Sequence, residues 1–277
     1  MTLKYVKPTT SARRGMSYPD FSTITKKKPE KSLVVPLKKH AGRDAYGHIS
    51  VRHQGGGSKK LYRLVDFKQN KLDVSAIVEA IEYDPNRSAY IALIKYEDGQ
   101  KAYILAPSDL KVNDKIIASQ EGEIKPGNRF PLKSIPTGIP IFNIELTPGR
   151  GGQIVRSAGL SATILAKEGG YAHLRLPSGE VRKVLLSCFA TIGTIGNALH
   201  ASVRFGNAGR RRHMGIRPSV RGKAMHPGAH PHGGGEGVNP IGLKHPKTPW
   251  GKPALGARTR RRKYTDKYII QRRGKGR

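Results

Sequence analysis

The uneven distribution of charge along the chain is the feature that most restricts its fold. Residues 61–200 carry 17 Lys or Arg against 14 Asp or Glu, whereas residues 1–60 carry 14 against 3 and residues 201–277 carry 20 against 2. Segments with charge of one sign repel themselves when they are compact. We therefore expect a globular core in 61–200 only, flanked by basic extensions at 1–60 and 201–277.

The basic extensions also lack the apolar residues that a core requires. Of the 77 residues from 201 onward, 21 are Gly or Pro and only 10 are Val, Ile, Leu or Phe. This apolar surface is too small to offset the entropy of ordering the segment by itself. Because the whole chain has a net charge of +32, we expect a polyanionic partner. A nearly neutral globule with basic arms is the arrangement of a nucleic-acid-binding protein.

Several other classes of protein are disfavoured by what the sequence lacks. No apolar run approaches the about 18 residues of a membrane span, and the N-terminus has no apolar signal-peptide core. The single cysteine, Cys188, excludes an internal disulfide framework and a multi-cysteine zinc site, and we expect it to be a small buried side chain. The Walker A, Gly-x-Gly-x-x-Gly and Gly-x-Ser-x-Gly motifs of common enzymes are absent.

The central segment has the two-residue periodicity of β-strands. Residues 61–120 predict about five short strands, with a type I′ hairpin turn at Asp98-Gly99, and this pattern favours a small closed barrel. Residues 130–200 predict a second unit of the same style, with hairpins at Gly169-Gly170 and at Pro177-Ser178-Gly179. A unit of roughly 60 residues has a marginal core, so we expect each unit to depend on contact with the other.

A short internal echo places one arginine in each predicted unit. The stretches NRSA at 86–89 and VRSA at 155–158 put Arg87 and Arg156 in equivalent positions just after a turn-like segment. Arginine suits contacts with RNA because its planar fork binds phosphate through two hydrogen bonds and stacks on bases. Chance similarity of a common tripeptide is the alternative, and the residues alone leave both interpretations open.

The stretch HPGAHPHGGGEG at 226–237 combines histidines, glycines and an acid, as some catalytic and metal sites do. His230 and His232 could bind zinc together with His226 or Glu236, but such a set within one Gly-rich loop would be poorly preorganised. Contact with RNA is the other interpretation, because imidazole binds phosphates and 2′-hydroxyls and glycine allows close approach of the backbone. We expect RNA contact here and no resident metal or cofactor.

Longer stretches carry a specific resemblance to a known family. These are VRHQGGGSKKLYRLVDF (51–67), NIELTPGRGGQIVRSAG (143–159), ATIGTIGN (190–197), RPSVRGKAMHP (217–227) and TPWGKP (248–253). They resemble the family of the second protein of the large ribosomal subunit, and the match extends from residue 3 to the C-terminus. The HPH and GEG tripeptides are similar to those of bacterial or plastid members.

The resemblance implies a mainly β fold and a structural role. It implies an OB-fold RNA-binding domain at 61–125 and an SH3-like barrel RNA-binding domain at 126–200, between a basic N-terminal extension (1–60) and a basic Gly/Pro-rich C-terminal extension (201–277). The implied partners are large-subunit rRNA, neighbouring ribosomal proteins, the small subunit across an intersubunit bridge and nearby tRNA, with no membrane. Mg²⁺ would be present only as an ion associated with the rRNA, and the location would be the ribosome of a bacterial cytoplasm or a plastid.

The family role implied for the chain is support of subunit association, tRNA binding and the peptidyl transferase centre. The resemblance carries rRNA contacts over to Arg87 and Arg156, and the other candidates come from the basic and histidine-rich stretches. The predicted RNA-binding residues are Arg52, Lys59, Lys60, Arg63, Arg87, Arg156, Arg210, Arg211, Arg212, Arg217, Arg221, His226, His230, His232, Arg260, Arg261 and Arg262.

His230 is the one candidate for a catalytic residue, because the resemblance implies a position near the peptidyl transferase centre. The family form before HPHGGGEG is Asn-Pro-x-Asp, whereas this chain has His226-Pro227-Gly228-Ala229. An acid that could orient His230 is therefore missing at 229, and we expect a protein that is not an enzyme. Two rival hypotheses are an acyl transferase that uses His230 and a DNA-binding architectural protein. The DNA-binding rival is disfavoured because no groove-reading helix is predicted.

Overall fold

The structure, a computed structural model, describes residues 3–236, 238–257 and 259–274. Within these residues the chain is mainly β, and its strands are short. The strands in chain order are β1 (Leu3–Tyr5), β2 (Ser17–Pro19), β3 (Val34–Pro36), β4 (Leu61–Arg63), β5 (Ala76–Glu82), β6 (Ile91–Tyr96), β7 (Lys101–Leu105), β8 (Lys115–Ile116), β9 (Arg129–Pro131), β10 (Pro140–Phe142), β11 (Ala162–Glu168), β12 (Tyr171–Arg175), β13 (Val181–Leu185), β14 (Phe189–Ile192) and β15 (Ile269–Gln271).

Helical segments are few and short. The α-helices are α1 (Ser11–Arg14) and α2 (Ala208–His213), and the 3₁₀ turns are Lys31–Leu33, Ala198–Ser202, Gly222–Ala224 and Lys263–Tyr268. No helix of the described residues could cross a bilayer, since none combines the required length with sufficient apolarity.

The described chain divides into two compact units. The first, here called the barrel unit, contains the residues up to 38, residues 59–207 and the residues from 265 onward. The second, here called the arm unit, contains residues 39–58 and 208–264. The division into four parts at residues 60, 125 and 200 stays a prediction.

The barrel unit contains four antiparallel sheets, of which β1-β2 and β3-β4 are two-stranded. Of the two large sheets, the first has the strand order β7-β6-β5-β8, and the second has the order β15-β13-β12-β11-β10-β14-β9. The five strands predicted between 61 and 120 correspond to β4–β8. The predicted fold class, a mainly β protein with an OB-fold barrel, an SH3-like barrel and basic irregular extensions, is confirmed.

The hairpin turns are where predicted, but one has a different type. At Gly169-Gly170 both residues have positive φ (54° and 80°) and join the paired residues Glu168 and Tyr171, as a type I′ turn requires. At Asp98-Gly99 only Gly99 has positive φ, so the prediction of a type I′ turn there is wrong. The Tyr96 N–H donates to the Gln100 carbonyl at 2.9 Å, which encloses a three-residue loop, and such loops end on a single left-handed residue.

Each of the two large sheets covers a separate apolar core. Side chains of β5–β8 surround Tyr90 and Ile94 in the first core, and those of β9–β14 surround Phe130 and Ile141 in the second. Cys188 lies fully buried in the second core, as predicted. Burial raises the pKa of its thiol to about 12, so the side chain behaves as a small apolar group rather than as a nucleophile.

A fully buried ion pair crosses the second barrel. Arg129 in β9 donates from Nη2 to Glu145 Oε1 at 3.1 Å and from Nη1 to the Asn143 carbonyl at 2.9 Å. Glu145 also accepts the backbone N–H groups of Gly151 (3.0 Å) and Phe189 (3.1 Å). Burial lowers the pKa of the Arg129 guanidinium, and Glu145 opposes that shift. A buried pair of this kind is tolerated because further hydrogen bonds compensate part of its desolvation, although Arg129 Nε has no hydrogen-bond partner among the described residues.

We predict that Glu145→Gln lowers the free energy of unfolding by about 3–5 kcal/mol, because it leaves the Arg129 charge buried without a counter-ion. Urea unfolding followed by far-UV circular dichroism measures this change. The matched control is Glu123→Gln, which breaks the exposed ion pair of Glu123 with Lys125 (2.7 Å) and should cost far less. Equal losses in the two variants would contradict the structural role of the buried pair.

Backbone contacts, rather than an apolar core, hold the arm unit together. None of its described apolar side chains is buried. The Gly55 N–H donates to the Gly215 carbonyl at 2.7 Å, and the Ser58 N–H donates to the His213 carbonyl at 2.8 Å. The N-terminal and C-terminal extensions therefore pair with each other, which the sequence alone did not predict.

Gly57 is the position at which this pairing tolerates no side chain. Its φ is +60°, and a Cβ there would lie 2.7 Å from the Gly215 nitrogen. We predict that Gly57→Ala increases hydrogen exchange at the Ser58 and Gly55 amides. Gly56→Ala is the matched control, since a Cβ at Gly56 would meet nothing within 4 Å, and unchanged exchange in both variants would contradict the pairing.

Candidate RNA-binding surface

The two echoed stretches, NRSA and VRSA, meet where the two barrels contact each other. The Ala158 N–H donates to Ser88 Oγ at 3.1 Å, and Asn197 Nδ2 donates to the Ser88 carbonyl at 2.7 Å. A small buried cluster that includes Leu105 and Phe142 closes the same contact. The barrels therefore support each other, as their small size predicts, and the two stretches are neighbours in space.

This contact brings Arg87 and Arg156 to the same aromatic ring. The guanidinium carbon of Arg156 lies 4.5 Å from the ring centroid of Phe67, and that of Arg87 lies 5.5 Å from it. Both distances fall within the range of cation–π attraction. The Phe67 ring thus contacts two guanidinium groups, one from each barrel.

The backbone and an acid further restrict the two arginines. Arg87 Nε donates to the fully buried carboxylate of Asp84 at 2.5 Å. Arg156 Nη1 donates to the Gly152 carbonyl at 3.2 Å. Val155, directly before Arg156, has a φ of +54°, a conformation that β-branched residues rarely adopt. Such strain, about 1–3 kcal/mol, concentrates at functional positions.

The predicted RNA-binding residues between 59 and 63 differ in their solvent exposure. Lys59 is exposed, and Lys60 Nζ donates to the Pro85 carbonyl at 3.2 Å, close to the Arg87 loop. Arg63 is buried, with 8% of its surface exposed, and its Nη1 donates to the Leu61 carbonyl. An RNA contact by Arg63 stays a prediction, since the described position of this guanidinium serves the fold.

The candidates of the arm unit lie mostly on its surface. Arg210 is half-buried on α2, and the other predicted arginines of this unit are exposed. These exposed residues are Arg52, Arg211, Arg212, Arg217, Arg221, Arg260, Arg261 and Arg262.

All three predicted histidines accept hydrogen bonds from backbone N–H groups, two of them from within their own loop. His226 Nδ1 accepts the Gly228 N–H at 3.1 Å, and His230 Nδ1 accepts the His232 N–H at 3.0 Å. His232 Nε2 accepts the Lys247 N–H at 2.8 Å. The rings of His230 and His232 lie edge to face, with centroids 4.7 Å apart. These rings therefore shape the loop itself.

His230 is the buried member of this group, with 8% of its surface exposed. Gly222 packs against its ring so closely that a Cβ at Gly222 would lie 2.5 Å from Nδ1. Burial lowers the pKa of His230, and the nearby His232 and Arg52 lower it further. Since Nδ1 accepts a hydrogen bond, the proton of the neutral ring is on Nε2. That tautomer makes Nε2 a donor and leaves it without the lone pair that a general base needs.

No group of three or more His, Cys, Asp or Glu suited to hold a metal ion occurs in the part of the chain that the structure describes. The zinc arrangement considered for His226, His230, His232 and Glu236 therefore has no support from the described geometry.

Four residues of these surfaces were missed by the sequence reasoning. Phe67 and Asp84 position the arginines of the barrel unit, but in sequence Phe67 is one more apolar strand residue and Asp84 one more turn residue. In the arm unit, Arg43 lines a pocket and Trp250 lies under Arg52, at 5.6 Å from its guanidinium carbon. The one signal available in the sequence was a tryptophan within a basic segment.

Two small barrels with paired arginines at their contact, together with strongly basic extensions, define a nucleic-acid-binding structural protein. The comparison with known families gives the same class. Residues 30–118 match the RNA-binding N-terminal domain of ribosomal proteins L2, and residues 125–251 match the C-terminal domain of ribosomal proteins L2. The chain belongs to the ribosomal protein L2 family, the RNA-binding structural proteins of the large ribosomal subunit. It therefore acts in a ribosome, in the cytoplasm or in an organelle.

We predict that the loop around His230 opens as the pH falls below about 6.5, the usual pKa of histidine. The pKa of His230 in the closed loop is lower than in the open loop, so the open loop binds the proton more strongly and acidification favours it. Protonation of Nδ1 also removes the acceptor of the His232 N–H. Hydrogen exchange at the His232 amide should increase through this range.

His230→Asn is the matched variant for this prediction. The amide oxygen of Asn lies two bonds beyond Cβ, as Nδ1 does, and can accept the same N–H without titrating. We expect slow exchange at His232 in this variant with little dependence on pH, and fast exchange at every pH in His230→Ala. A similar pH dependence in His230→Asn would contradict the assignment.

Proposed function

We propose that the protein is a primary rRNA-binding protein of a bacterial or plastid large ribosomal subunit. In this role it supports subunit association, tRNA binding and the organisation of the peptidyl transferase centre, and is not itself the catalyst. Its contacts would extend to neighbouring ribosomal proteins and to the small subunit. Family membership supports the general role, and the site geometry supports the specific residues.

The convergence of Arg87 and Arg156 on Phe67 is the observation that carries this proposal. Two guanidinium groups at one place can each bind a phosphate through two hydrogen bonds. Because the ring and the Asp84 carboxylate restrict them, less side-chain entropy is lost when they bind. A pair of held arginines suits the irregular backbone of folded RNA, which proteins recognise largely by shape.

The arm unit supports the same function through its charge and its lack of a core. The extension after residue 200 carries 20 basic residues against two acidic ones. If about 15 of the basic residues of the chain neutralise phosphates, log K falls by about 13 for each tenfold increase in salt. Such a complex is effectively permanent, as a structural component of a particle requires.

The described geometry of His230 supports an organising role rather than a chemical one. Its Nδ1 accepts a backbone N–H, and in the neutral ring Nε2 is a donor that can reach an RNA oxygen. The acid that could orient His230 is missing, since residue 229 is Ala229. We therefore interpret His230 as part of the loop architecture beside the RNA.

The proposal predicts different effects for two substitutions of Arg156 in the full-length protein. Arg156→Gln should weaken binding to a large-subunit rRNA fragment and reduce the slope of log K against log salt by about 0.7–0.9, the value of one phosphate contact. Arg156→Lys keeps the charge but loses the fork and the ring contact. This variant should keep the slope of log K against log salt and still weaken binding to the rRNA fragment several-fold. Filter binding at a series of salt concentrations measures both.

Lys95→Gln is the control, because Lys95 is an exposed cation of β6 outside the proposed site. It should change affinity and slope less than Arg156→Gln. Identical slopes for the wild type, Arg156→Gln and Lys95→Gln would exclude a phosphate contact by Arg156. Equal affinity of the wild-type protein for duplex DNA of the same length would contradict the proposed function and favour a DNA-binding architectural protein.

A further inference from the structure

A pocket in the arm unit, which the sequence did not predict, has the chemistry of a nucleotide site. It has a volume of about 240 Å³, smaller than the about 300 Å³ at which sites for drug-sized ligands begin. Four arginines line it, namely Arg43, Arg52, Arg212 and Arg217. They come from the N-terminal extension, from α2 and from the segment that follows α2, so the pocket exists only because the two extensions pair.

We propose that this pocket binds one unpaired nucleotide of the RNA strand, with the phosphate on the arginines and the base stacked on Trp250. The inference rests on the proposed function, because it assumes that the arm unit lies against RNA. It adds a specific site and a specific feature of the ligand, an unstacked base.

The concentration of cations in so small a pocket is the first argument. The arginines would repel one another without an anion, and no acidic side chain lines the pocket. Arginine forks bind phosphate through paired hydrogen bonds. Arg43 is already restricted, because its Nη1 donates to the Gly47 carbonyl at 2.7 Å.

The remaining wall of the pocket is apolar and is exposed to solvent. Ile49 and Val51 have 60% and 50% of their surfaces exposed, although they line a concave site. A ribose or the edge of a base would cover them, whereas a free phosphate ion would not. This combination of apolar wall and cationic wall matches a nucleotide better than an inorganic anion.

The backbone of the pocket is held in unusual conformations. Ala41 and His53 both line it and have φ values of +51° and +65°. Gly42 has a φ of +70°, and a Cβ there would lie 2.2 Å from the Val51 carbonyl oxygen. Left-handed conformations of non-glycine residues are strained and concentrate at ligand sites.

Trp250 provides an aromatic surface beside the pocket. Its indole ring is 78% exposed, and the guanidinium carbon of Arg52, a pocket residue, lies 5.6 Å from the ring centroid. A tight turn presents the ring, since the Gly251 N–H donates to the Thr248 carbonyl at 2.9 Å and the Thr248 N–H donates to the Lys252 carbonyl at 2.7 Å. Stacking on an exposed aromatic ring is the usual way in which proteins bind unpaired bases.

Trp250 also makes the proposal testable, because it is the only tryptophan of the chain. We expect single-stranded octauridylate to quench its fluorescence in the full-length protein. An abasic strand of eight ribose phosphates and an octaglutamate peptide should quench it far less, because neither has a base. Quenching by the abasic strand or the peptide equal to that by octauridylate would overturn the proposal.

Two variants locate the effect in the pocket. Arg43→Gln removes one phosphate ligand and should weaken the octauridylate titration by about tenfold or more, as expected for a charge-assisted hydrogen bond. Val51→Phe fills the pocket without a change in charge and should weaken it to a similar extent. Lys244→Gln removes one exposed charge elsewhere in the arm unit and should weaken it about twofold or less.

Binding of the same variants to the large-subunit rRNA fragment separates this inference from the proposed function. If the wild-type protein prefers rRNA to duplex DNA but Arg43→Gln and Val51→Phe titrate octauridylate as Lys244→Gln does, the pocket assignment is wrong and the proposed function stands. If the wild-type protein has no preference for rRNA, the proposed function fails, and the assignment of the pocket to rRNA fails with it.

Discussion

The contact between the two barrels is the interaction on which the proposed RNA site depends. Ser88 in the first barrel receives one hydrogen bond at its hydroxyl and one at its carbonyl, both from the second barrel. This contact fixes the distance between the loops that carry Arg87 and Arg156, and it places Phe67 beside both. The first barrel alone would present only Arg87, whereas the two barrels together present two restricted arginines beside one ring.

The distribution of charge follows the distribution of apolar surface. In the barrels, where a core exists, charges are paired and in part buried, as Arg129 and Glu145 show. In the arm unit no described apolar side chain is buried, and its acidic residues are too few to pair its arginines. Backbone hydrogen bonds can hold such a unit in shape, but they do not neutralise it. We propose that RNA supplies both the counter-charge and the remaining surface.

The histidine-rich loop shows how an arrangement that resembles an active site can be architectural. Each of its ring acceptors in the described contacts binds a backbone N–H, and Gly222 packs flat against His230 because it has no side chain. Burial lowers the pKa of His230 and so favours the neutral ring, which the hydrogen bond accepted at Nδ1 requires. The same features leave Nε2 as a donor, and donors to RNA oxygens organise a site without taking part in proton transfer.

By itself the sequence determined the core, the strands and the polyanionic partner, because these depend on local periodicity and on composition. The motifs also identified the family. Only the tertiary structure decided the turn type at Gly99, the pairing of the two extensions, and the meeting of Arg87 and Arg156 on Phe67. The physical reason is the same for the last two. Contacts between residues distant in the chain depend on backbone geometry and on the close approach of two segments, and the residue pattern of one segment does not specify either.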